Sequence, residues 1–261
     1  MRIATFAGLS AILAANLCLG QTEDDYTLTV EEYAVDGIAG STTYRFYVDM
    51  ANPDDFMSSV YGNEEDPFAL TTTEPFYNDP AATGGSAGGV NPSFLVPPFN
   101  EFFPGLGYDS WFTIGIESAP SGAETAVSAV ESATQPWIGS FDATSVLSGQ
   151  SVHMDDVTGG AWYVLNGTPN GIPDAENQRV LVAQVTTSGN ISGIFNVQIF
   201  VNGIGANDLR PRFVFEGPGV YAHEPLPEAI PGCTNSLACN FDETASLDNG
   251  SCAYGTVLVS L

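Results

Sequence analysis

Lysine is absent from this chain, and five arginines face 31 aspartates and glutamates, a formal net charge of −26 at pH 7. A surface of that sign repels phosphate polymers and anionic headgroups, because both are gripped through Lys and Arg. Nucleic-acid binding is excluded on that ground. Histidine occurs only twice, at His153 and His223, and neither lies in the H-x-x-x-H or H-E-x-x-H spacing of a zinc site. Long apolar runs are also missing. After the first twenty residues nothing approaches the ~20 apolar residues of a membrane helix, so no membrane insertion of the mature chain is expected.

Those first residues are different: Arg2 is their only charge and an apolar run extends from Ile3 to Leu19. The pattern is that of a secretory signal peptide over residues 1–20, with Cys18 and Gly20 as the small residues before the cut. A secreted, extracellular product beginning at Gln21 is expected. It retains four arginines against 31 acids, a net −27. Such acidity has two readings, a hydrated surface that keeps the protein soluble or a surface that binds cations such as calcium. Disorder is not a third, because 44% hydrophobic and 11% aromatic residues supply a core.

From Tyr26 to Glu216 the hydropathy has period two. In Thr43–Met50, Tyr44, Phe46, Val48 and Met50 share one face and Arg45 and Asp49 the other, as in a half-buried strand. In Gly193–Val201 the inward set is Phe195, Val197, Ile199 and Val201. Further strands are expected at 27–34, 58–61, 69–73, 111–117, 151–154, 161–165, 179–186 and 212–216. Asn-Gly pairs and Asn52-Pro53-Asp54-Asp55 punctuate them with turns. Many short strands with such punctuation predict an all-β fold over 21–225, an antiparallel β-sandwich of jelly-roll or Greek-key type. One helix is expected, the Ala-rich Glu124–Ala133 before Pro136. The segment Glu74–Gly107 breaks the rhythm with prolines, glycines and the aromatics Phe99, Phe102 and Phe103, and is expected as a loop whose rings cap the edge of the core.

Motifs for catalysis are weak. Gly84-Gly85-Ser86-Ala87-Gly88 matches G-x-S-x-G, but no strand precedes it and Pro92 follows where a nucleophile elbow needs a helix. With 31 acids, carboxylate pairs for glycoside hydrolysis can be drawn anywhere and carry no information. Calcium needs six to eight oxygens in the usual case. Three Asx-rich groups offer them: Asn52, Asp54 and Asp55; Asn63, Glu64, Glu65 and Asp66; and, most favourably, Asn240, Asp242, Asp248 and Asn249. The alternative for each is a turn closed by its own Asx side chains. Trp111, Trp137 and Trp162 are candidates for a carbohydrate-stacking platform, against burial among their apolar neighbours.

Prolines 225, 227 and 231 form a stiff spacer into a three-Cys, Asx-rich module, placed at 226–254 with a short apolar tail at 255–261. In an oxidising compartment one disulfide is expected among Cys233, Cys239 and Cys252. The third thiol is then left free or joined to another chain in an intermolecular disulfide. Spacing does not decide which cysteine is odd.

The series Gly232-Cys233-Thr234, Ala238-Cys239-Asn240-Phe241 and Asp248-Asn249-Gly250-Ser251-Cys252-Ala253-Tyr254 resembles a short module, G-C-T-x4-A-C-N-[YF]-x3-A-x2-D-[DN]-G-S-C-x-Y, found near the ends of secreted proteins of aquatic bacteria. The resemblance covers about a tenth of the chain and implies an extracellular spacer or surface module. The segments Tyr44–Val48, Tyr108–Gly115 and Arg179–Thr186 resemble bacterial exported β-sandwich domains of unknown function, whose relatives often end in a sorting tag that this chain does not show. The expectation is a non-enzymatic extracellular or cell-surface structural and adhesion protein, calcium being its candidate cofactor and matrix or polysaccharide its partner. A carbohydrate-binding module and an extracellular hydrolase are the alternatives.

Overall fold

The computed structural model describes residues 20–82, 90–92, 99–142 and 148–254. Residues 1–19, the G-x-S-x-G segment 84–88, the side chain of Phe99 and the tail 255–261 lie outside the described residues. The chain divides into two compact units at His223/Glu224.

Among the described residues the first unit carries thirteen strands: β1 Thr27–Val35, β2 Thr42–Asp49, β3 Phe56–Gly62, β4 Phe68–Thr72, β5 Trp111–Phe112, β6 Ser128–Val130, β7 Val152–Met154, β8 Gly160–Tyr163, β9 Arg179–Thr187, β10 Ile191–Phe200, β11 Asp208–Leu209, β12 Arg212–Glu216 and β13 Gly219–Ala222. They form an antiparallel sandwich of a five-stranded sheet, β13-β1-β2-β9-β5, and an eight-stranded sheet, β6-β8-β3-β10-β4-β7 with β11 and β12 also on β10. Strand β10 is the spine of the second sheet. Its residues pair first with β4 and then with β3 along one edge, and with β12 and then β11 along the other.

Aromatic rings hold the layers together. Phe46 of the smaller sheet stacks on Phe195 of the larger at 5.1 Å, and Phe112 stacks on Trp162 at 4.2 Å and on Phe141 at 4.2 Å. Phe195, Val197 and Ile199 are buried as their alternation predicts. Val201 falls beyond the strand, in a 3-10 turn.

Two local expectations are corrected. Glu124–Ala133 is not a helix: Ser128–Val130 is an edge strand on β8, in register Ser128↔Tyr163 and Val130↔Ala161. Alanine favours a helix only weakly, whereas pairing with β8 satisfies the backbone and buries Val127 in the core. The strand expected at 111–117 lasts two residues, because Gly115 turns the chain at φ +73° with the Asn170 carbonyl where a Cβ would stand.

The second unit is held by a disulfide between Cys233 and Cys252, with Cys239 free and exposed. Strands β14 Pro231–Gly232 and β15 Leu247–Asp248 pair in parallel. On the chain-entropy view, closing a loop of this size contributes about 3 kcal/mol. Alkylation of unreduced protein beginning at Gln21 is therefore expected to label one thiol, at Cys239. Three labelled thiols without reduction would contradict the bridge.

Candidate functional site

The outer face of the five-stranded sheet is built from residues that alternate with the core. Cross-strand register places Thr29 and Glu31 of β1, Tyr47 and Arg45 of β2, and Leu181 and Gln184 of β9 on this one face, with Trp111 of β5 beside Gln184. Alternation predicts a solvated face here, and that expectation is corrected: Arg45, Gln184, Thr186 and Trp111 are buried. The cover is made by Tyr77 and by residues 107–110. Gln184 donates its Nε2 to the carbonyls of Gly107 and Asp109 at 3.1 and 2.9 Å, and the backbone N–H of Thr186 donates to the Ser110 hydroxyl at 3.0 Å. The Tyr77 hydroxyl donates to Asp79 at 2.8 Å, and the Asp79 N–H donates to the Asp109 carboxyl at 2.8 Å. Burial pushes Asp109 up to about 8, with the charges of Asp142 and Asp79 adding to it while hydrogen bonds from backbone Asp79 and Ser110 oppose it.

Arg45 and Arg179 sit on this face, each over a tyrosine ring. Arg45 lies 3.6 Å from the Tyr33 ring centroid while its Nε donates to Gln184 at 2.9 Å and its Nη1 to Glu117 at 2.8 Å. Arg179 lies 3.8 Å from the Tyr47 ring and pairs with Glu31. A planar guanidinium held by a carboxylate and an amide fixes the orientation of the ring it stacks on.

Two depressions flank this network. A polar cleft of 390 Å³ is lined by Tyr47, Glu117, Glu124, Asn170, Asp174 and Arg179 among others. Its charged groups are engaged within the protein: Arg179 with Glu31, Glu117 with Arg45, Glu124 with Ser121, and Asp174 with the turn at Glu176 and Asn177. The other, a shallow groove of 480 Å³, is lined by Tyr33, Ala34, Pro104, Gly107 and Tyr108. Gly37 supports it, since a Cβ there would fall 2.3 Å from the Tyr108 ring. Tyr33 is 51% exposed, and Phe102 and Phe103, which lead into Pro104, are 74% and 43% exposed. These two phenylalanines do not cap the core, as the sequence suggests; Phe76 and Tyr77 of the same segment are the buried ones.

The tryptophans are a clear correction. Trp111, Trp137 and Trp162 are all buried, and Trp162 is sandwiched among Phe112, Phe68 and Phe195, so no indole face is offered to a sugar. Among the calcium candidates, Asp242 accepts from the Thr244 N–H and hydroxyl, Asp248 from the Gly250 N–H, Asn249 from the Ser251 N–H and Asn240 from the Ala253 N–H. Asn63 likewise closes its turn on Glu65 and Asp66, and Asp55 is buried beneath Tyr26 and Gln21. Among the described residues no group of three or more His, Cys, Asp or Glu is arranged around a metal position. His153 is exposed on β7, and His223 accepts the Arg212 N–H on its Nδ1 at 3.0 Å.

Turns already closed by their own side chains carry an expectation for melting experiments. Calcium and sodium chlorides at matched ionic strength should raise Tm equally, by screening alone. A rise specific to calcium, lost in Asp242→Asn and Asp248→Asn, would instead place an ion in the cysteine module.

No protein-family model, curated protein or solved structure matches the chain. No helix among the described residues is long and apolar enough to cross a membrane.

Proposed function

We propose that this is a non-enzymatic extracellular or cell-surface structural and adhesion protein that contacts polysaccharide through the aromatic groove on its five-stranded sheet. The observation that carries the reading is Tyr33: half-exposed, held against Arg45 at 3.6 Å, and lining one groove with Tyr108 and with Pro104, which the exposed Phe102 and Phe103 precede in the chain. Flat apolar faces of sugar rings pack on aromatic rings, and a ring already fixed by its neighbours loses little freedom on binding. An acidic surface disfavours sulfated and uronic polymers, which points to neutral or amino-sugar glycans. The Cys233–Cys252 bridge fits an oxidising compartment, and the exposed Cys239 thiol is available for a link to a second chain.

Retention of the purified mature protein on insoluble neutral and amino-sugar polysaccharides tests the reading. The wild type should be retained and the Tyr33→Ala/Phe102→Ala double variant should pass through. Equal retention of both would overturn the groove, and passage of the wild type through every glycan would overturn the adhesion reading.

A further inference from the structure

The first residue of the expected mature chain is a glutamine, and its side chain is built into the fold. Gln21 donates its Nε2 to Asp55 Oδ2 at 2.7 Å and to the Tyr26 hydroxyl at 3.0 Å, and its Oε1 accepts from Asn52 Nδ2 at 3.0 Å. Asp55 is fully buried, and none of the ion pairs among the described residues includes it. Its donors are neutral: Gln21, the Tyr26 hydroxyl at 2.9 Å and the Asn202 N–H at 2.9 Å. Burial, with Asp55 alongside, holds the Tyr26 hydroxyl far above its usual range, so it stays a neutral donor. Gly20, on the other side of the expected cut, is exposed.

An N-terminal glutamine is chemically unstable. Its free α-amine attacks its own side-chain Cδ, a new N–Cδ bond closes the five-membered lactam, the Cδ–Nε2 bond breaks, and Nε2 takes up the proton that the α-amine gives up and leaves as ammonia. In this protein the amide that must be attacked is tied at both its oxygen and its nitrogen. The leaving nitrogen is also a donor to a buried carboxylate, which its departure would leave with one donor fewer. We infer that the Asp55–Tyr26–Asn52 node protects Gln21 from cyclisation, so that the exported protein keeps an open glutamine terminus that is part of its fold. The inference rests on the export reading for the position of the cut.

The two are separated by making residues 21–261 behind a cleavable tag whose removal leaves Gln21 first. Loss of ammonia from the N-terminal peptide is then followed by mass in the folded protein and in the same chain unfolded in urea. Breaking the hydrogen bonds that tie the amide before reaction should slow the folded chain about tenfold or more. Asn52→Ala, a change at a partly exposed position, should bring the folded rate toward the unfolded one, as should Asp55→Asn if it folds. Equal rates in the folded and unfolded wild type, or no acceleration in Asn52→Ala, would overturn the inference. Terminal sequencing of protein secreted with its own leader is read separately. A start other than Gln21 there contradicts the assigned cut and leaves the measured protection standing.

Discussion

Replacing Trp162 by alanine is expected to lower the unfolding free energy of the sandwich by about 3–5 kcal/mol, the range for removing a large aromatic from a packed core. Trp162 on β8 touches both sheets: it stacks on Phe112 of the smaller one at 4.2 Å and meets Phe68 and Phe195 of the larger edge-on at 5.4 and 6.1 Å. Its deletion leaves a hole where the layers meet rather than at an edge that can collapse. Its indole N–H is buried with no hydrogen-bond partner among the described residues, so Trp162→Phe should be far milder, because phenylalanine keeps a ring and removes an orphaned donor. Urea unfolding of the two variants checks both expectations. An alanine variant that loses less than about 1 kcal/mol would show that the two sheets do not depend on this contact.

The second large effect is one of pH. A carboxyl raised to about 8 in the folded state is protonated there at neutral pH, whereas the unfolded chain releases that proton near the ordinary aspartate value of 3.8. The native state therefore holds more protons between these values, and stability falls as pH rises through that window. Integrated over it, the loss attributable to Asp109 is on the order of 5 kcal/mol, the expected size for a shift of this magnitude. Asp109→Asn keeps an oxygen to accept the Asp79 N–H and carries no charge at any pH. It should match the wild type below pH 4 and exceed it increasingly up to about pH 8. A variant whose stability runs parallel to the wild type across that window would remove Asp109 from the explanation.

The sandwich was legible because period-two alternation reports which residues face a core, and the strands around Phe46 and Phe195 follow it. What alternation does not report is whether the second face is covered. Arg45 reads as solvent-facing, yet Gln184, Glu117 and the segment ending at Asp109 enclose it; the contacts span over seventy residues and leave no local signal. The same blindness applies to rings. Tryptophans and phenylalanines look alike as apolar positions, and only packing shows Trp162 inside and Phe102 outside. Glu124–Ala133 misleads for a related reason: its alanines carry a helical preference that one edge pairing with β8 outweighs. In the cysteine module, residue types announced a staple, but the choice of Cys252 over Cys239 as the partner of Cys233 needed the backbone path. The groove's one advance signal was a segment without strand periodicity, which supplies Pro104, Gly107 and Tyr108. Tyr33, also in its lining, lies in an ordinary strand and carried none.

The most direct test is an equilibrium titration of the mature protein with soluble neutral and amino-sugar oligosaccharides, repeated on Tyr33→Ala and on Val157→Ala, a control at a residue 82% exposed. Saturable binding with a negative heat-capacity change is expected, because stacking buries apolar surface. Tyr33→Ala should weaken it about tenfold, the loss of one stacked ring, with Val157→Ala unchanged. Binding of equal strength in Tyr33→Ala and the wild type, or no binding to either sugar class, would contradict the role assigned to the groove.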